Sequence, residues 1–436
     1  MEILNQIKDE WNAAKTACLN GITGAMKFCK DEWNGYTRNI KITLLVLFGL
    51  VGLFIIFGIQ ILGWGLGYTD MSNLYPFGQW IIGDLGLVGL GGGAFTMGFF
   101  LYILRVDKLK PLINSTVLIG FMCYLFTLVF LVFDIGQPLR AWFGYAYPNW
   151  GHGLMPQSML TEVVWCLTFY FCVLIIELVP LPLEHPVLQK FPFIHGLTHY
   201  MHKLMWIMAA AGTFLSFFHQ GSLGGGMWGV LYGKVVWYRP AYFFTAIVAA
   251  TAGGTAFMAL CAYIAGKVMK KEVVPWDSFQ TLAQISGVLT IFAFLFQAWH
   301  VYMQATHFVP AFDRSFLDIW GGYYGIWMVV LMFAAYIGAI VLLNVGALRS
   351  QERFFVAGIS CGVGAISFDK MIVVLHGSST PNFPWKSFAG YNPTIQEWGI
   401  FLGGLATMIL IYMLFAKYFP LFPHLNKHGH GEEHAH

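Results

Sequence analysis

Polar side chains with acid–base chemistry interrupt several long apolar stretches of this sequence. Glu162 lies at the start of one stretch, and His219 lies at the end of the next. An imidazole beside a carboxyl group can donate a hydrogen bond to a ligand oxygen and accept a proton near neutral pH. The two oxygens of a quinone head group need such partners, together with a nearby proton acceptor. Glu162 and His219 are therefore the candidate residues for quinone binding and proton exchange.

Further ionisable groups lie at the same depth on other apolar stretches. Asp84, Asp134 and His300 each stand near one end of a stretch, and Arg140 lies in an adjoining loop. The ninth stretch carries three more at this end: Asp369, Lys370 and His376. Ionisable groups are costly in hydrocarbon, so those retained there are candidates for function. Their common depth predicts one polar pocket near one surface of the membrane.

The elements that must position these groups are transmembrane helices. Hydrophobic residues make up 58% of the 436 residues, charged residues make up 10%, and the mean hydropathy is +0.65. The apolar runs are continuous and long enough to cross the hydrocarbon core, which favours helices over a barrel. We therefore predict an all-α, polytopic membrane protein with about ten spans. The expected spans are 43–66, 82–105, 113–134, 159–180, 203–220, 241–266, 281–305, 323–345, 354–376 and 396–417.

The distribution of basic residues predicts the orientation. Most of the 24 Lys and Arg residues fall on the side of the N-terminus, which predicts that both termini are cytoplasmic and the polar pocket extracytoplasmic. Residues 1–40 are polar and predict an amphipathic cytoplasmic segment without a cleavable signal peptide. We further predict a membrane domain over 41–420 and a flexible, His-rich cytoplasmic tail over 421–436. The net charge of +3 is scattered, so it gives no indication of nucleic-acid binding.

Redox metals are not predicted in this chain. Its seven cysteines form no CxxC pair and lie mostly within apolar stretches, which favours ordinary packing over an iron–sulfur or zinc site. A dihaem cytochrome b is one alternative, because His202 and His219 lie at opposite ends of one span. A secondary transporter is another, although no inverted repeat is evident.

Three segments together indicate a family. The first runs from Pro76-Phe77-Gly78-Gln79-Trp80 through Asp84 to Gly91-Gly92-Gly93-Ala94-Phe95, and the second is Asp134-Ile135-Gly136-Gln137-Pro138-Leu139-Arg140. The third is Ser216-Phe217-Phe218-His219-Gln220-Gly221-Ser222-Leu223-Gly224, followed by Trp237-Tyr238-Arg239-Pro240. These segments resemble the NrfD superfamily of polysulfide reductase membrane subunits, and the third is similar to its HybB-like branch. That branch includes membrane subunits of hydrogenases and of DsrMKJOP-type and Hmc-type redox complexes. Gly221 departs from the serine common in the branch.

The resemblance implies a function as well as a fold. It implies ten helices, no haem, and a menaquinone or ubiquinone site near the outer face of a prokaryotic cell membrane. It also implies an extracytoplasmic ferredoxin-like iron–sulfur partner and further redox subunits, such as a multihaem cytochrome c, a cytochrome b, a hydrogenase or a heterodisulfide-reductase-like protein. Glu162 and His219 match the positions expected to line the quinone or proton path. The other residues expected at the cofactor site are Asp84, Asp134, Arg140, Gln220, Ser222 and His300.

Overall fold

Within the described residues of a computed structural model, ten helices are long and apolar enough to cross a membrane. The structure describes residues 30–422, except for 32, 147–158, 185–187, 229–233, 235, 238–240, 307–315 and 382–385. In chain order the spans are Arg38–Trp64, Gln79–Ile103, Asp107–Asp134, Thr161–Leu183, Pro192–Gly224, Tyr242–Met269, Trp276–Ala305, Gly325–Asn344, Glu352–Ser379 and Ile395–Tyr418.

The predicted all-α architecture and each of the ten expected spans are confirmed. A helix satisfies all its backbone hydrogen bonds internally, which hydrocarbon requires. The largest boundary error is in the fifth span, which begins at Pro192 and not near 203. Proline is well suited to the first turn of a helix, where its missing N–H needs no partner. The polar first turns of this helix explain why hydropathy alone placed its start too late.

The second span forms the centre of the bundle. In the second span, 72% of the most hydrophobic stretch is buried, compared with 11% in the first span. The first span therefore faces outward along most of its length. The second span packs against the third and sixth spans, and the ninth span packs against the sixth and eighth. Hydrophobic burial does not drive helices together inside lipid, so close packing must hold them.

Glycines allow the central helices to touch through their backbones. A Cβ atom added to Gly93 would lie 2.3 Å from the carbonyl carbon of Gly254, so the second and sixth spans are in direct main-chain contact there. A Cβ atom added to Gly253 would lie 2.5 Å from Cγ2 of Ile366 on the ninth span. Small residues of this kind set helix spacing in membranes. The second, sixth and ninth spans thus form one tightly packed unit.

Three spans contain short π-helical turns. They cover Phe99–Ile103, Ser222–Trp228 and Ile372–His376, in the second, fifth and ninth spans. A π turn inserts a residue into the helix, rotates the following side chains, and is frequent at functional sites. The turns at Ser222 and Ile372 adjoin the polar groups described below.

The terminal segments lie mostly outside the described residues. The predicted amphipathic segment 1–40 is described only near its end, and the predicted tail only at Leu421 and Phe422, both of which are buried. The cytoplasmic location of the termini remains a prediction.

Candidate functional site

Glu162 and Ser222 are in direct contact. The Ser222 hydroxyl donates to Oε1 of Glu162 over 2.6 Å, joining the start of the fourth span to the π turn that ends the fifth. Ser222 is buried, whereas Glu162 is only partly buried. The contact gives the carboxylate a fixed position while leaving it partly accessible, as proton exchange requires.

His219 lies one turn before Ser222 and is 1% exposed. Neither of its ring nitrogens has a hydrogen-bond partner among the described residues. An imidazole always carries at least one N–H donor, and burying it without a partner costs roughly 1–3 kcal/mol. The aromatic ring of Tyr124 lies 6.1 Å from the imidazole, measured between ring centres. His219 is therefore a buried donor and acceptor with unused hydrogen-bonding capacity.

Gln220 holds the adjacent helices in register. Its Nε2 donates to the Val88 carbonyl over 2.8 Å and to the Tyr124 hydroxyl over 3.4 Å. The Val88 carbonyl also accepts from the Gly92 amide over 3.1 Å, which is the helical hydrogen bond of the second span at this position. Gln220 thus positions His219 by a contact with the backbone of the second span and need not touch a ligand.

Asp84 and Asp134 form a second polar group at the same end of the bundle. Their carboxyl groups are close enough for their charges to interact, and Asp134 similarly interacts with Glu397. Oδ1 of Asp84 and Oδ1 of Asp134 are buried and have no hydrogen-bond partner among the residues that the structure describes. Two unpartnered carboxyl oxygens at this depth are available for protons or for a polar ligand.

Glu397, in contrast, is fully engaged. Its Oε1 accepts from the Tyr391 hydroxyl over 2.5 Å, and its Oε2 accepts from the Thr394 and Asp70 amides over 2.9 and 3.1 Å. The first of these amide contacts completes a capping box at the start of the tenth span. Glu397 is therefore a structural carboxylate that fastens the loops at this end of the bundle.

A third cluster surrounds a buried ion pair on the ninth span. Asp369 is 0% exposed, and its Oδ2 lies 3.4 Å from Nζ of Lys370. The Tyr242 hydroxyl donates to Oδ2 over 3.1 Å, and Nε2 of Gln297 donates to Oδ1 over 2.6 Å. Lys370 also donates to the Tyr242 hydroxyl over 3.2 Å. The pair is thus tied to the sixth and seventh spans.

The glycine-rich second span separates this ion pair from the His219 group. A Cβ atom added to Gly89 would lie 3.6 Å from Cε of Lys370, and one added to Gly92 would lie 3.4 Å from Nε2 of Gln220. The absence of side chains at these two positions lets polar groups approach the helix from both sides.

Removing one partner of the buried pair is expected to destabilise the protein strongly. Asp369→Asn or Lys370→Met should each cost about 3–5 kcal/mol, because the remaining charge is left uncompensated. The double variant D369N/K370M should lose less than either single variant. Asp277→Asn provides a control, since its 2.9 Å pair with Lys108 is largely exposed and should contribute less than about 1 kcal/mol. Thermal unfolding of the purified chains measures these differences, and strictly additive losses in D369N/K370M would contradict the coupling.

The remaining predicted site residues are not joined to Glu162 or His219 by a described contact. Arg140 is exposed on the short helix Pro138–Arg140 and forms no ion pair with any described residue. His300 lies on the seventh span, one turn beyond Gln297, and is partly buried. In the loop that follows Arg140, residues 147–158 lie outside the described residues.

The loop that contains Lys234 packs against the end of the ninth span. The Lys234 ammonium donates to the carbonyls of Ser378 and Thr380, at the end of the ninth span, and lies 5.4 Å from the centre of the Trp237 ring. Burial lowers the pKa of Lys234 to about 8. Trp237 in turn donates to the Val373 carbonyl over 2.7 Å, so this loop closes over the π turn of the ninth span.

Sequence reasoning missed Tyr124, Tyr242 and Gln297 as members of these groups. Each is a polar residue buried in an apolar span, and that burial was the available signal. The departure at Gly221 also has a structural reason. A Cβ atom there would lie 2.3 Å from Cε2 of Phe243, so that ring occupies the space a serine would need.

The described residues contain no group of three or more His, Cys, Asp or Glu side chains arranged to hold a metal ion. His202, proposed above as an alternative haem ligand, is exposed and its Nε2 lies 2.8 Å from Oε1 of Glu184.

The fold and these groups define a multi-pass helical membrane protein with polar side chains gathered at one end of the bundle. The chain belongs to the family described as polysulphide reductase, NrfD, whose model matches residues 67–382. The resemblance stated from the three sequence segments is therefore confirmed.

Three relatives cover most of the chain. The menaquinone reductase integral membrane subunit of Nitratidesulfovibrio vulgaris is 37% identical over 376 residues, which are 84% of this chain and 87% of the relative. The probable Ni/Fe-hydrogenase 2 b-type cytochrome subunit of Escherichia coli is 25% identical, with 90% of this chain and 95% of the relative covered. A selenate reductase subunit of Mesobacillus selenatarsenatis is 21% identical, with coverages of 88% and 95%.

Proposed function

We propose that this chain is the quinone-binding integral membrane subunit of a respiratory redox complex. In this proposal it exchanges electrons between the menaquinone pool and an iron–sulfur partner on the extracytoplasmic side. The observation that carries the proposal is the buried imidazole of His219, one turn from the Glu162–Ser222 pair, whose two nitrogens have no partner among the described residues. The name of the menaquinone reductase relative favours menaquinone over ubiquinone.

The residues present fit a quinone head group. His219 can donate a hydrogen bond to one quinone oxygen from its unpaired N–H, which relieves the cost of its burial. Glu162 can take up or deliver a proton, and Ser222 holds the carboxylate in place while it does so. Bound quinone would supply the redox chemistry, which takes up two electrons and two protons on full reduction.

Protons and electrons would reach the site by different routes. Glu162 is partly exposed, so it can exchange protons with the surface at its own end of the bundle. Asp84 and Asp134, with their unpartnered oxygens, provide further proton-accepting groups at that end. Electrons would be exchanged with a ferredoxin-like iron–sulfur subunit docked over the same end, with further redox subunits beyond it. The relatives, named as subunits of a menaquinone reductase, a hydrogenase and a selenate reductase, support a multi-subunit setting.

A haem-binding subunit is the second candidate, because the name of one relative contains the words b-type cytochrome. Such a function would need axial ligands for the iron, and His219 is a buried histidine that could serve as one. An optical spectrum distinguishes the two functions directly.

The test is purification of the intact complex in mild detergent, followed by quinone analysis of the extracted lipid and a haem spectrum of the membrane subunit. We expect close to one menaquinone per complex in the native protein and little in a His219→Leu variant. Because both nitrogens of His219 are unpartnered, the leucine variant should retain the thermal stability of the parent. This separation of ligand loss from unfolding distinguishes a binding residue from a structural one.

Two results would contradict the proposal. Stoichiometric haem b, lost in the His219→Leu variant, would assign the histidine to iron ligation. Equal amounts of quinone in the native and His219→Leu complexes would place the quinone site elsewhere.

A further inference from the structure

At the end of the bundle opposite to the polar groups, an open cavity of about 600 Å³ lies between three spans. The last turn of the sixth span and the first turns of the seventh and ninth spans border it. Three lysines line the cavity, namely Lys267, Lys270 and Lys271, together with the carboxylates of Glu272 and Glu352. A cavity of this size is in the range that holds a small-molecule ligand.

One of the three lysines is already neutralised. Lys267 forms an ion pair with Oε1 of Glu352, and its ammonium lies 5.4 Å from the centre of the Tyr263 ring. The Tyr263 hydroxyl donates to the same carboxylate oxygen over 2.6 Å. This triad fixes one wall of the cavity and links the sixth span to the ninth. It leaves Lys270 and Lys271 as the basic groups free to meet a ligand.

Lys270 and Lys271 are held at the rim by the chain reversal that ends the sixth span. Lys270 has a φ of 52°, in the left-handed region that a non-glycine residue adopts only where the surrounding structure requires it. The Lys271 amide donates back to the Gly266 carbonyl over 3.2 Å, which closes the helix end. Both side chains are exposed, and neither forms an ion pair with any described residue. The loop therefore presents two ammonium groups that have no ion-pair partner among the described residues, from a well-defined backbone.

Other features of the cavity favour an anion attached to an apolar body. The seventh and ninth spans both begin at the cavity, and the positive ends of their helix dipoles attract negative charge. Apolar and aromatic side chains form the remaining wall, including Val274, Trp276 and Phe279. A tryptophan in this position is typical of the boundary between hydrocarbon and head groups. Basic pockets between helices at a membrane surface bind the head groups of anionic lipids.

We propose that this cavity is a binding site for an anionic phospholipid. The phosphate lies between Lys270 and Lys271, and the glycerol and first acyl carbons lie against Trp276. The bound lipid bridges the sixth, seventh and ninth spans at the end opposite to the quinone site. This places the ion pair of Asp369 and Lys370 on helices that the lipid clamps together.

The test uses the full chain, exchanged into neutral detergent until its native lipids are removed. Thermal unfolding is then followed against increasing phosphatidylglycerol, with phosphatidylcholine and inorganic phosphate titrated in parallel. Phosphatidylglycerol should raise the unfolding temperature with saturation. The double variant K270Q/K271Q should need roughly tenfold to thirtyfold more of this lipid for the same effect.

The control variant is K190Q/K203Q, which removes two exposed lysines elsewhere on the chain and should respond like the parent. An equal effect of phosphatidylcholine would overturn the proposed charge recognition. An equal effect of millimolar inorganic phosphate would assign the site to a free anion and would overturn the lipid. An unchanged titration curve in K270Q/K271Q would show that the lipid does not bind in this cavity. None of these results bears on His219, so the proposed function is tested separately.

Discussion

Glu162→Gln is expected to reduce quinone turnover by the complex about 100-fold or more, while the subunit still folds and assembles. Glutamine has nearly the same shape as glutamate, and its side-chain carbonyl can still accept the hydrogen bond from Ser222. It cannot carry a proton, however, and loss of a positioned general acid or base typically costs two to four orders of magnitude in rate. The measurement is steady-state turnover with a soluble naphthoquinone analogue, using the intact complex.

A matched control separates this proton-transfer role from a general effect of removing charge. Glu184→Gln removes a carboxylate just after the same span, at the opposite end of the bundle, where it contacts exposed His202. This variant should turn over quinone at nearly the parental rate. If both variants retained full turnover, the role proposed for Glu162 would be wrong. If both lost activity and assembly together, the defect would be one of folding, and the quinone content of the His219→Leu complex would then decide the matter.

The depth of the polar groups was accessible from the sequence, whereas their pairing was not. Hydropathy fixes where a helix enters and leaves the membrane, so Glu162 and His219 could be placed at the same end of the bundle. It does not fix how each helix is rotated about its axis. The hydrogen bond between Glu162 and Ser222 depends on that rotation and on the π turn beginning at Ser222. Neither leaves a hydropathy signal.

The same limit explains why the contacts around Asp369 were not predicted from the sequence. Sequence reasoning recognised Asp369 and Lys370 as ionisable residues within a span, but it did not connect them with Tyr242 or Gln297. Residues on three different helices meet only after the helices have packed. In lipid this packing is set by small residues and not by apolar patterning, so a helix that is hydrophobic all round gives no indication of its inward face.

The glycine contacts that set this packing lead to a large expected effect on folding. Gly93→Ala should destabilise the membrane domain by about 3 kcal/mol, at the upper end of the usual cost of overpacking. The added methyl group would meet the main chain of Gly254 at 2.3 Å, and a backbone cannot move aside as a side chain can. The second and sixth spans would have to separate, which would also disturb the Val88 carbonyl that receives Gln220.

Gly86→Ala is the matched control, because it lies on the same span and a Cβ atom there would meet nothing within 4 Å. It should leave stability unchanged or raise it by roughly 0.5–1 kcal/mol through the better helix propensity of alanine. Thermal unfolding followed by size-exclusion chromatography in detergent compares the two variants.

The double variant G93A/G254A gives the sharper result, since both substitutions strain one contact. Once the first methyl group has forced the helices apart, the second should add little, so the combined loss should fall well short of the sum of the two single losses. Equal stability of G93A and G86A would show that the helices tolerate a wider spacing. In that case, the backbone contact between the second and sixth spans would not be the reason that the Gln220 and Lys370 groups lie on opposite sides of the second span.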